Sequence, residues 1–183
     1  MNLALNLVYL INMKTTNFGN MVMVKDCESL ITPLPGQTFF NVLNETIKNT
    51  KLTIDTMQYQ WNFYIGKSDD PVQQMNQSLL NKIRNGVKCR VLLNKEGRGQ
   101  HLMAINMKAS RYLSEAGAIV KFGRTFPITH AKMWLIDDDI TIIGSHNLSS
   151  RSFKVNNEVS ALIKSREVNQ ELKRYFNTLW NLL

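Results

Sequence analysis

The segment HAKMWLIDDDITIIGSHNLSSRSFKVNNE, residues 130–158, predicts a β-hairpin. Residues 130–137 are interpreted as one strand, in which successive side chains alternate between the two faces. Residues 140–144 are mainly apolar and β-branched, which favours a buried second strand. The aspartates at 137–139 are turn-forming residues. We therefore expect two neighbouring antiparallel strands joined by a short loop.

The hairpin would bring four polar side chains to one patch. Side chains alternate between the faces of a strand, so His130 and Lys132 share a face. If the loop consists of residues 138–139 alone, antiparallel pairing sets Lys132 opposite Ser145. The same pairing sets His130 opposite Asn147. An imidazole acts as a nucleophile or acid–base group near neutral pH, and the other three side chains suit an anion such as phosphate.

Six residues of this segment resemble the HKD motif of the phospholipase D superfamily, in the pattern H-x-K-x4-D-x6-G-S-x-N. They are His130, Lys132, Asp137, Gly144, Ser145 and Asn147. Glu158 occupies the place where that family has an acidic residue that orients the nucleophilic histidine. Outside the motif, the chain resembles the family in its pattern of strands and helices. The resemblance implies catalytic roles for His130, Lys132, Ser145, Asn147 and Glu158, and structural roles for Asp137 and Gly144.

Other residues of the segment are assigned by strand parity. Asp137 faces away from His130, so we expect it to cap the turn or hold nearby backbone. Trp134 shares the face of His130 and is expected in the core. His146 points away from Ser145 and Asn147 and is predicted to be structural or exposed. His101, at the start of a predicted helix, is expected at the surface.

The order of predicted elements indicates an α/β fold. Strands and helices alternate along the chain, which predicts a mixed sheet with helices on both faces. This agrees with the α/β/α sandwich that the resemblance implies, with one motif per chain. Predicted strands cover residues 21–24, 29–32, 51–59, 87–93, 118–122, the hairpin and 155–163. Predicted helices cover residues 38–49, 71–85, 101–116 and 166–182.

Two short sequences have two interpretations each. Pro33 and Pro35-Gly36 are predicted to form a turn. Residues 58–63, QYQWNF, follow a predicted strand. Their aromatic side chains belong either to the core or to the mouth of a site, because ligands of α/β sheets bind near the carboxyl ends of strands.

The composition predicts a single basic domain. The chain has 183 residues, a hydrophobic content of 44% and a net charge of +8. We assign residues 21–183 to one phospholipase D-like domain and residues 1–20 to an N-terminal extension. Residues 3–11, LALNLVYLI, are too short to span a bilayer, and no signal peptide is expected. They are interpreted as an added strand or helix, a translated extension before Met13 or Met21, or a peripheral membrane anchor.

The basic charge favours a polyanionic partner. Residues 82–124 contain ten Lys or Arg and two acidic residues, while the rest of the chain has twelve of each sign. One interpretation is a pair of solvated helix faces. The other is a phosphate-binding groove, in which Arg98, Arg124 and Arg151 are the candidate substrate contacts.

The sequence predicts neither a metal site nor a cofactor. Cys27 and Cys89 form neither a disulfide framework nor a zinc-ligand set, and a reducing cytoplasm is the simplest location. Adjacent carboxylates such as Asp138 and Asp139 seldom ligate one metal together. No other group has metal-ligand spacing.

A single motif creates a mechanistic requirement. One imidazole cannot attack phosphorus and protonate the leaving oxygen in the same step, so we expect a homodimer with both His130 side chains in a shared site. The segments 125–129 and 148–153 are the expected interface, with Phe126 and Phe153 as apolar contacts. The first hypothesis is a metal-independent endonuclease that cleaves DNA or RNA through a phosphohistidine. The alternatives are a phospholipase D or phosphatidyl transferase with membrane contact, which is less favoured, and a non-catalytic nucleic-acid binding module.

Overall fold

The computed structural model describes residues 29–95 and 100–183, which form a mixed β-sheet packed between helices. The strands are β1 (Leu30–Pro35), β2 (Thr53–Gln58), β3 (Lys88–Leu93), β4 (Ile119–Phe122), β5 (Met133–Ile136), β6 (Ile140–Gly144) and β7 (Val159–Lys164). The helices are α1 (Thr38–Asn49), α2 (Pro71–Arg84), α3 (Gln100–Ala116), α4 (Ser150–Lys154) and α5 (Arg166–Asn181). Residues 1–20 and the predicted strand at 21–24 lie outside the described residues.

The seven strands form one sheet in the order β1-β7-β6-β5-β2-β3-β4. Strands β2, β3 and β4 run parallel, and α2 and α3 provide the connections that parallel neighbours require. The remaining neighbours pair antiparallel. The hairpin β5–β6 therefore lies at the centre of the sheet, where both of its faces are covered.

Each face of the sheet has its own hydrophobic core. Alternate residues of the central strands pack against α1 to α4 on one face, including the fully buried Trp134 and Ile136. The residues between them, such as Leu135, pack against Phe176 and Trp180 of α5 on the other face. This alternation is the consequence of the two-residue period of a strand. The predicted α/β/α sandwich is confirmed.

The predicted register of the hairpin is wrong by one residue. Ile136 pairs with Ile140, so the loop has three residues, 137–139. Asp137 adopts a left-handed backbone with φ of 48°, which takes it out of the ladder. Lys132 consequently lies opposite Gly144, whose N–H donates to the Lys132 carbonyl at 3.2 Å, and not opposite Ser145. The same shift removes the predicted pairing of His130 with Asn147.

The segment after the hairpin differs from the prediction as well. The strand predicted from residue 155 begins only at Val159, because residues 150–154 form the short helix α4. Ser149 caps this helix by accepting a hydrogen bond from the Ser152 N–H. Ser149 thus has a helix-capping role.

The predicted turn at Pro33 and Pro35-Gly36 begins later than expected, because both prolines belong to β1 and the turn lies at residues 36–37. Strand β1 lies at the edge of the sheet and pairs only with β7 among the described strands. The Gly36 N–H donates to the Glu158 carbonyl, so by alternation the two proline nitrogens face the outer side. A proline is accepted there because no ladder hydrogen bond is lost.

Candidate active site

The central strands bring four of the predicted side chains to one edge of the sheet. His130 and Lys132 lie just before β5, and Ser145 directly follows β6. Glu158 directly precedes β7, which is the neighbour of β6. Because β5, β6 and β7 are antiparallel, these strand ends meet at the same edge.

Lys132 lies against the imidazole of His130. The Lys132 Nζ is 3.2 Å from His130 Nδ1 and 3.3 Å from Nε2, and it donates to the His130 carbonyl at 2.8 Å. Burial lowers the pKa of His130, and the nearby ammonium of Lys132 lowers it further. Burial also lowers the pKa of Lys132, an effect that Glu158 partly offsets. The arrangement favours a neutral imidazole beside a cation, which suits a nucleophile that meets a phosphate.

Hydrogen bonds from three side chains keep Glu158 ionised. Ser145 Oγ donates to Glu158 Oε2 at 2.5 Å, while Ser152 Oγ and Asn156 Nδ2 donate to Oε1 at 3.0 and 3.2 Å. Burial alone would raise the pKa of Glu158, but the three donors outweigh burial and lower it. Within the described ranges, none of these hydrogen bonds joins Glu158 to His130. The orienting role of Glu158 therefore stays a prediction.

Gly144 lies where β6 and β7 come closest. A Cβ added to Gly144 would lie 2.1 Å from Ser160 Oγ and 2.4 Å from Ser160 Cα. Neither distance leaves room for a side chain. The glycine thus permits the approach of β7 that sets Glu158 beside Ser145.

His146 is a core residue. It is 1% exposed, and its ring stacks on Phe39 with the centroids 4.1 Å apart. Nε2 lies 3.1 Å from the Gly36 carbonyl, which can only accept, so Nε2 carries the proton. Nδ1 lies 2.8 Å from Ser160 Oγ and accepts from that hydroxyl. Burial lowers the pKa of His146, in keeping with a neutral ring.

Asn147 lies beside the loop that follows β2. Its neighbour Leu148 is fully buried and is bridged to Trp61. The Leu148 N–H donates to the Gln60 carbonyl at 3.0 Å, and the Asn62 N–H donates to the Leu148 carbonyl at 2.8 Å. The buried Oδ1 of Asn147 has no hydrogen-bond partner in the part of the chain that the structure describes.

Asp137 lies at the far end of β5 and binds backbone. Its carboxylate accepts hydrogen bonds from the N–H groups of Lys51, Leu52 and Thr53, at 2.9, 2.7 and 3.0 Å. The structure therefore does not bring Asp137 to the other motif residues. It places this side chain at the start of β2.

Tyr59 is a residue of this edge that the motif pattern does not contain. Its ring centroid is 4.5 Å from that of His130, and the Lys132 Nζ is 5.1 Å from the centre of the Tyr59 ring. Trp61 and Phe63, from the same QYQWNF sequence, are buried in the core. The interpretation as core residues is confirmed for Trp61 and Phe63, while the interpretation of Tyr59 as part of a site stays a prediction. The position just after a strand end was the signal that could have singled out Tyr59.

Two buried asparagines connect this edge to its surroundings. Asn106 Nδ2 donates to the carbonyls of Tyr59 and Asn94, and its Oδ1 accepts from the Trp61 N–H. Asn94 Oδ1 accepts from the N–H of Thr129, the residue before His130. These contacts join residues 12 to 47 positions apart. No local sequence pattern predicts them.

The three candidate arginines are placed differently. Arg124 is exposed and lines a groove of about 280 Å³ together with His130. The groove runs between the loop before β5 and the end of α5, and most of its lining is apolar. Arg151 is exposed on α4. Arg98 lies outside the described residues.

Residues 29–95 and 100–183 contain neither a metal-binding cluster of side chains nor a helix that could span a membrane. No cluster of three or more His, Cys, Asp or Glu side chains is arranged to bind a metal ion there. Among the helices of these residues, none has both the length and the apolar character needed to span a bilayer.

Comparisons with known proteins agree on one family. The family profile described as "Cardiolipin synthase, PLD-like domain" matches residues 43–180. The 5'-3' exonuclease PLD3 of Xenopus laevis is 29% identical over 173 residues, which cover 87% of this chain and 33% of that protein. The virion nicking-joining enzyme of Vaccinia virus (strain Western Reserve) is 27% identical over 152 residues, which cover 78% of this chain and 33% of that enzyme. The chain thus spans about a third of the length of these relatives.

The fold also matches a solved structure. The crystal structure of Nuc, a phospholipase D family member from Salmonella typhimurium, superposes with a TM-score of 0.69 at 18% identity. The match covers 85% of this chain and 95% of Nuc. The similarity in fold therefore extends over nearly the whole of that protein.

Proposed function

This chain belongs to the phospholipase D superfamily, and from that premise we propose that it is a metal-independent phosphodiesterase that cleaves nucleic acid. The observation that carries the proposal is the contact between Lys132 and both ring nitrogens of His130, at 3.2 and 3.3 Å. Burial and the neighbouring cation both disfavour protonation of the ring and lower the pKa of His130. A neutral imidazole has a free lone pair for attack on phosphorus.

The proposed reaction has two steps. In the first, an imidazole nitrogen of His130 forms a bond to phosphorus, the bond from phosphorus to the leaving oxygen breaks, and a second imidazolium protonates that oxygen. In the second step, the imidazole that protonated the leaving oxygen takes a proton from water. The resulting hydroxide bonds to phosphorus, and the phosphorus–nitrogen bond breaks. Lys132, Ser145 and Asn147 would stabilise the charge on the phosphoryl oxygens.

A second copy of the chain would supply the second imidazole. His146 is buried and both of its ring nitrogens have partners, so it is unsuited to donate a proton to substrate. His101 is exposed in the first turn of α3. A two-fold axis at the motif edge would bring two His130 side chains together in an isologous dimer.

The loop before β5 is the proposed centre of the dimer interface. Phe126 is 87% exposed and Ile128 is 47% exposed, and both precede His130. The expectation that Phe153 contributes an apolar contact is wrong, because Phe153 is 2% exposed and packs against Phe39. Leu148 is also buried. A specific dimer would bury at least about 1,000 Å² in total.

Glu158 is proposed to orient a His130 imidazole in the shared site. Oε2 of Glu158 accepts from the Ser145 hydroxyl, and a carboxylate oxygen has two lone pairs. One lone pair of Oε2 therefore suits an imidazole N–H, which would fix the tautomer of the attacking ring.

Nucleic acid is the favoured substrate class for two reasons. The chain carries a net charge of +8, and exposed Arg124 lies in the same groove as His130. Two of the relatives are by name an exonuclease and a nicking-joining enzyme.

Labelled single- and double-stranded DNA and RNA, each incubated with EDTA, would test the proposal. We expect cleavage of at least one substrate and its loss in His130→Ala; loss of cleavage in EDTA would refute the metal-independent mechanism. Binding of the native chain without any cleavage would favour the non-catalytic module.

A phospholipid substrate is the second candidate. The family profile is described as that of a cardiolipin synthase, and the groove at His130 has apolar walls formed in part by Leu179 and Leu182. Such walls suit an acyl chain. Release of phosphatidic acid or a free headgroup from vesicles by the native chain, and not by His130→Ala, would replace the nucleic-acid proposal.

A further inference from the structure

Tyr59 touches both members of the pair that would perform the chemistry. Its ring is tilted by 57° to the His130 imidazole, with the centroids 4.5 Å apart. The Lys132 ammonium lies 5.1 Å from the centre of the same ring. A cation within about 6 Å of an aromatic centroid is attracted by the ring. The three side chains therefore form one contact group.

The position of Tyr59 is fixed by backbone contacts. Its carbonyl accepts a hydrogen bond of 2.9 Å from the fully buried Asn106. Asn106 also accepts from the Trp61 N–H, and the Trp61 indole donates to the buried Asn76 at 2.8 Å. The half-buried ring thus projects from a loop that is held on both sides, so it can serve as a rigid wall for the mobile side chain of Lys132.

We propose that Tyr59 is a positioning residue, whose ring holds the Lys132 ammonium against the His130 imidazole before substrate binds. The proposal rests on the phosphodiesterase function proposed above. Lys132 has a flexible four-carbon stem, and its ammonium, on a half-buried side chain, also donates to the His130 carbonyl. The ring face supplies the attraction that offsets the loss of freedom of the stem.

Loss of the ring would have a definite effect on titration. Without the ring, the imidazole becomes more exposed and Lys132 is free to turn away. Burial and Lys132 both lower the pKa of His130, so removal of either raises it toward the ordinary value. Among the described residues, the other titratable groups near the imidazole include Arg124 and Tyr175, which line the same groove. Glu158 acts on the imidazole through its effect on the pKa of Lys132.

The test uses three variants of the full chain. Tyr59→Leu removes the ring, and Tyr59→Phe keeps it. Tyr112→Leu is the matched control, because Tyr112 is also half-buried, stacks on Phe63 at 5.2 Å and has the Arg111 guanidinium over its ring at 5.4 Å. Nitrogen-15 NMR of the histidine rings, assigned with His130→Gln, reports the titration without substrate. Single-turnover cleavage across pH reports the reaction.

We expect Tyr59→Leu to raise the pKa of His130 and to move the acidic limb of the rate profile upward. The maximal rate should fall by about tenfold to a hundredfold, since a small displacement of a catalytic group has effects of this size. Tyr59→Phe should match the native chain, and Tyr112→Leu should lose stability without either shift.

An unchanged titration of His130 in Tyr59→Leu would overturn the proposal. A shift of equal size in Tyr112→Leu would do the same, because the effect would then reflect general loosening. If the native chain cleaves no substrate, the proposed function fails, while the NMR titration still decides whether Tyr59 holds Lys132 against His130.

Discussion

Gly144 and Ser160 lie so close that a methyl group on the glycine would sit 2.5 Å from the serine Cβ. This pair joins β6 to β7 one residue from Ser145 and two residues from Glu158. The closeness of two neighbouring strands therefore positions the hydroxyl and the carboxylate of the site.

Gly144→Ala should destabilise the fold, because the added methyl forces β6 and β7 apart. Overpacking of this kind costs about 1–3 kcal/mol in the free energy of unfolding. Urea denaturation measures the effect. In a Ser160→Ala background the penalty should persist, since the Ser160 Cα itself would be 2.4 Å from the new Cβ. Full rescue by Ser160→Ala would show that only the hydroxyl was in the way.

Asp137→Asn should also destabilise the chain, by about 1–3 kcal/mol, because one amide oxygen replaces two oxygens that accept three N–H groups. Asp138→Asn is the matched control, since that side chain is 67% exposed and has only a 3.5 Å contact with Lys173. Its effect should stay within about 0.5 kcal/mol. Equal losses in the two variants, measured by thermal unfolding, would contradict a specific role for Asp137.

The stability that Glu158 contributes should depend on pH. The donors that surround Glu158 lower its pKa in the folded chain below the unfolded value of about 4.3. The carboxylate therefore stabilises the fold above that value, and the stabilisation is lost as the pH falls through the folded pKa. The gap in unfolding free energy between the native chain and Glu158→Gln should be widest near pH 7 and narrow below about pH 4. A constant gap would mean that the charge of Glu158 makes no contribution.

Mixed dimers test the shared site. Native and His130→Ala chains, combined in equal amounts and allowed to exchange, should leave about a quarter of the dimers with two intact imidazoles. Activity per total chain should fall to about that fraction. Activity near one half would instead show that each chain works alone, and another residue would then have to protonate the leaving oxygen.

Much of the fold follows from local patterns. Helices α1, α2 and α5 lie close to their predicted bounds, because each has an apolar face at helical spacing. The motif spacing also identified the residues that meet at one edge of the sheet. Strand order follows from topology rules only in part, and β1 extends beyond its predicted end at residue 32 because prolines are tolerated in an edge strand.

The missed features depend on contacts between distant parts of the chain. The hairpin register differs from the predicted register because Asp137 binds backbone N–H groups 84 to 86 residues away. No local sequence rule predicts such contacts. Phe153 was assigned to the surface because the α4 turn that buries it is only five residues long. The position of Tyr59 after a strand marked it only as a candidate, and Asn106 becomes recognisable only when α3 is placed beside the loop that follows β2.

The hydrogen bonds between Asp137 and the start of β2 fix the position of the hairpin along its strand direction. One end of β5 is fixed at the N–H groups of residues 51–53, and His130 lies seven residues away, a distance of about 23 Å along an extended strand. Deleting one residue between Lys132 and Asp137 would draw the imidazole back by about 3.3 Å and reverse the face to which each side chain before the deletion points. The four residues between the lysine and the aspartate therefore set how far the imidazole lies from the start of β2 and the face to which it points.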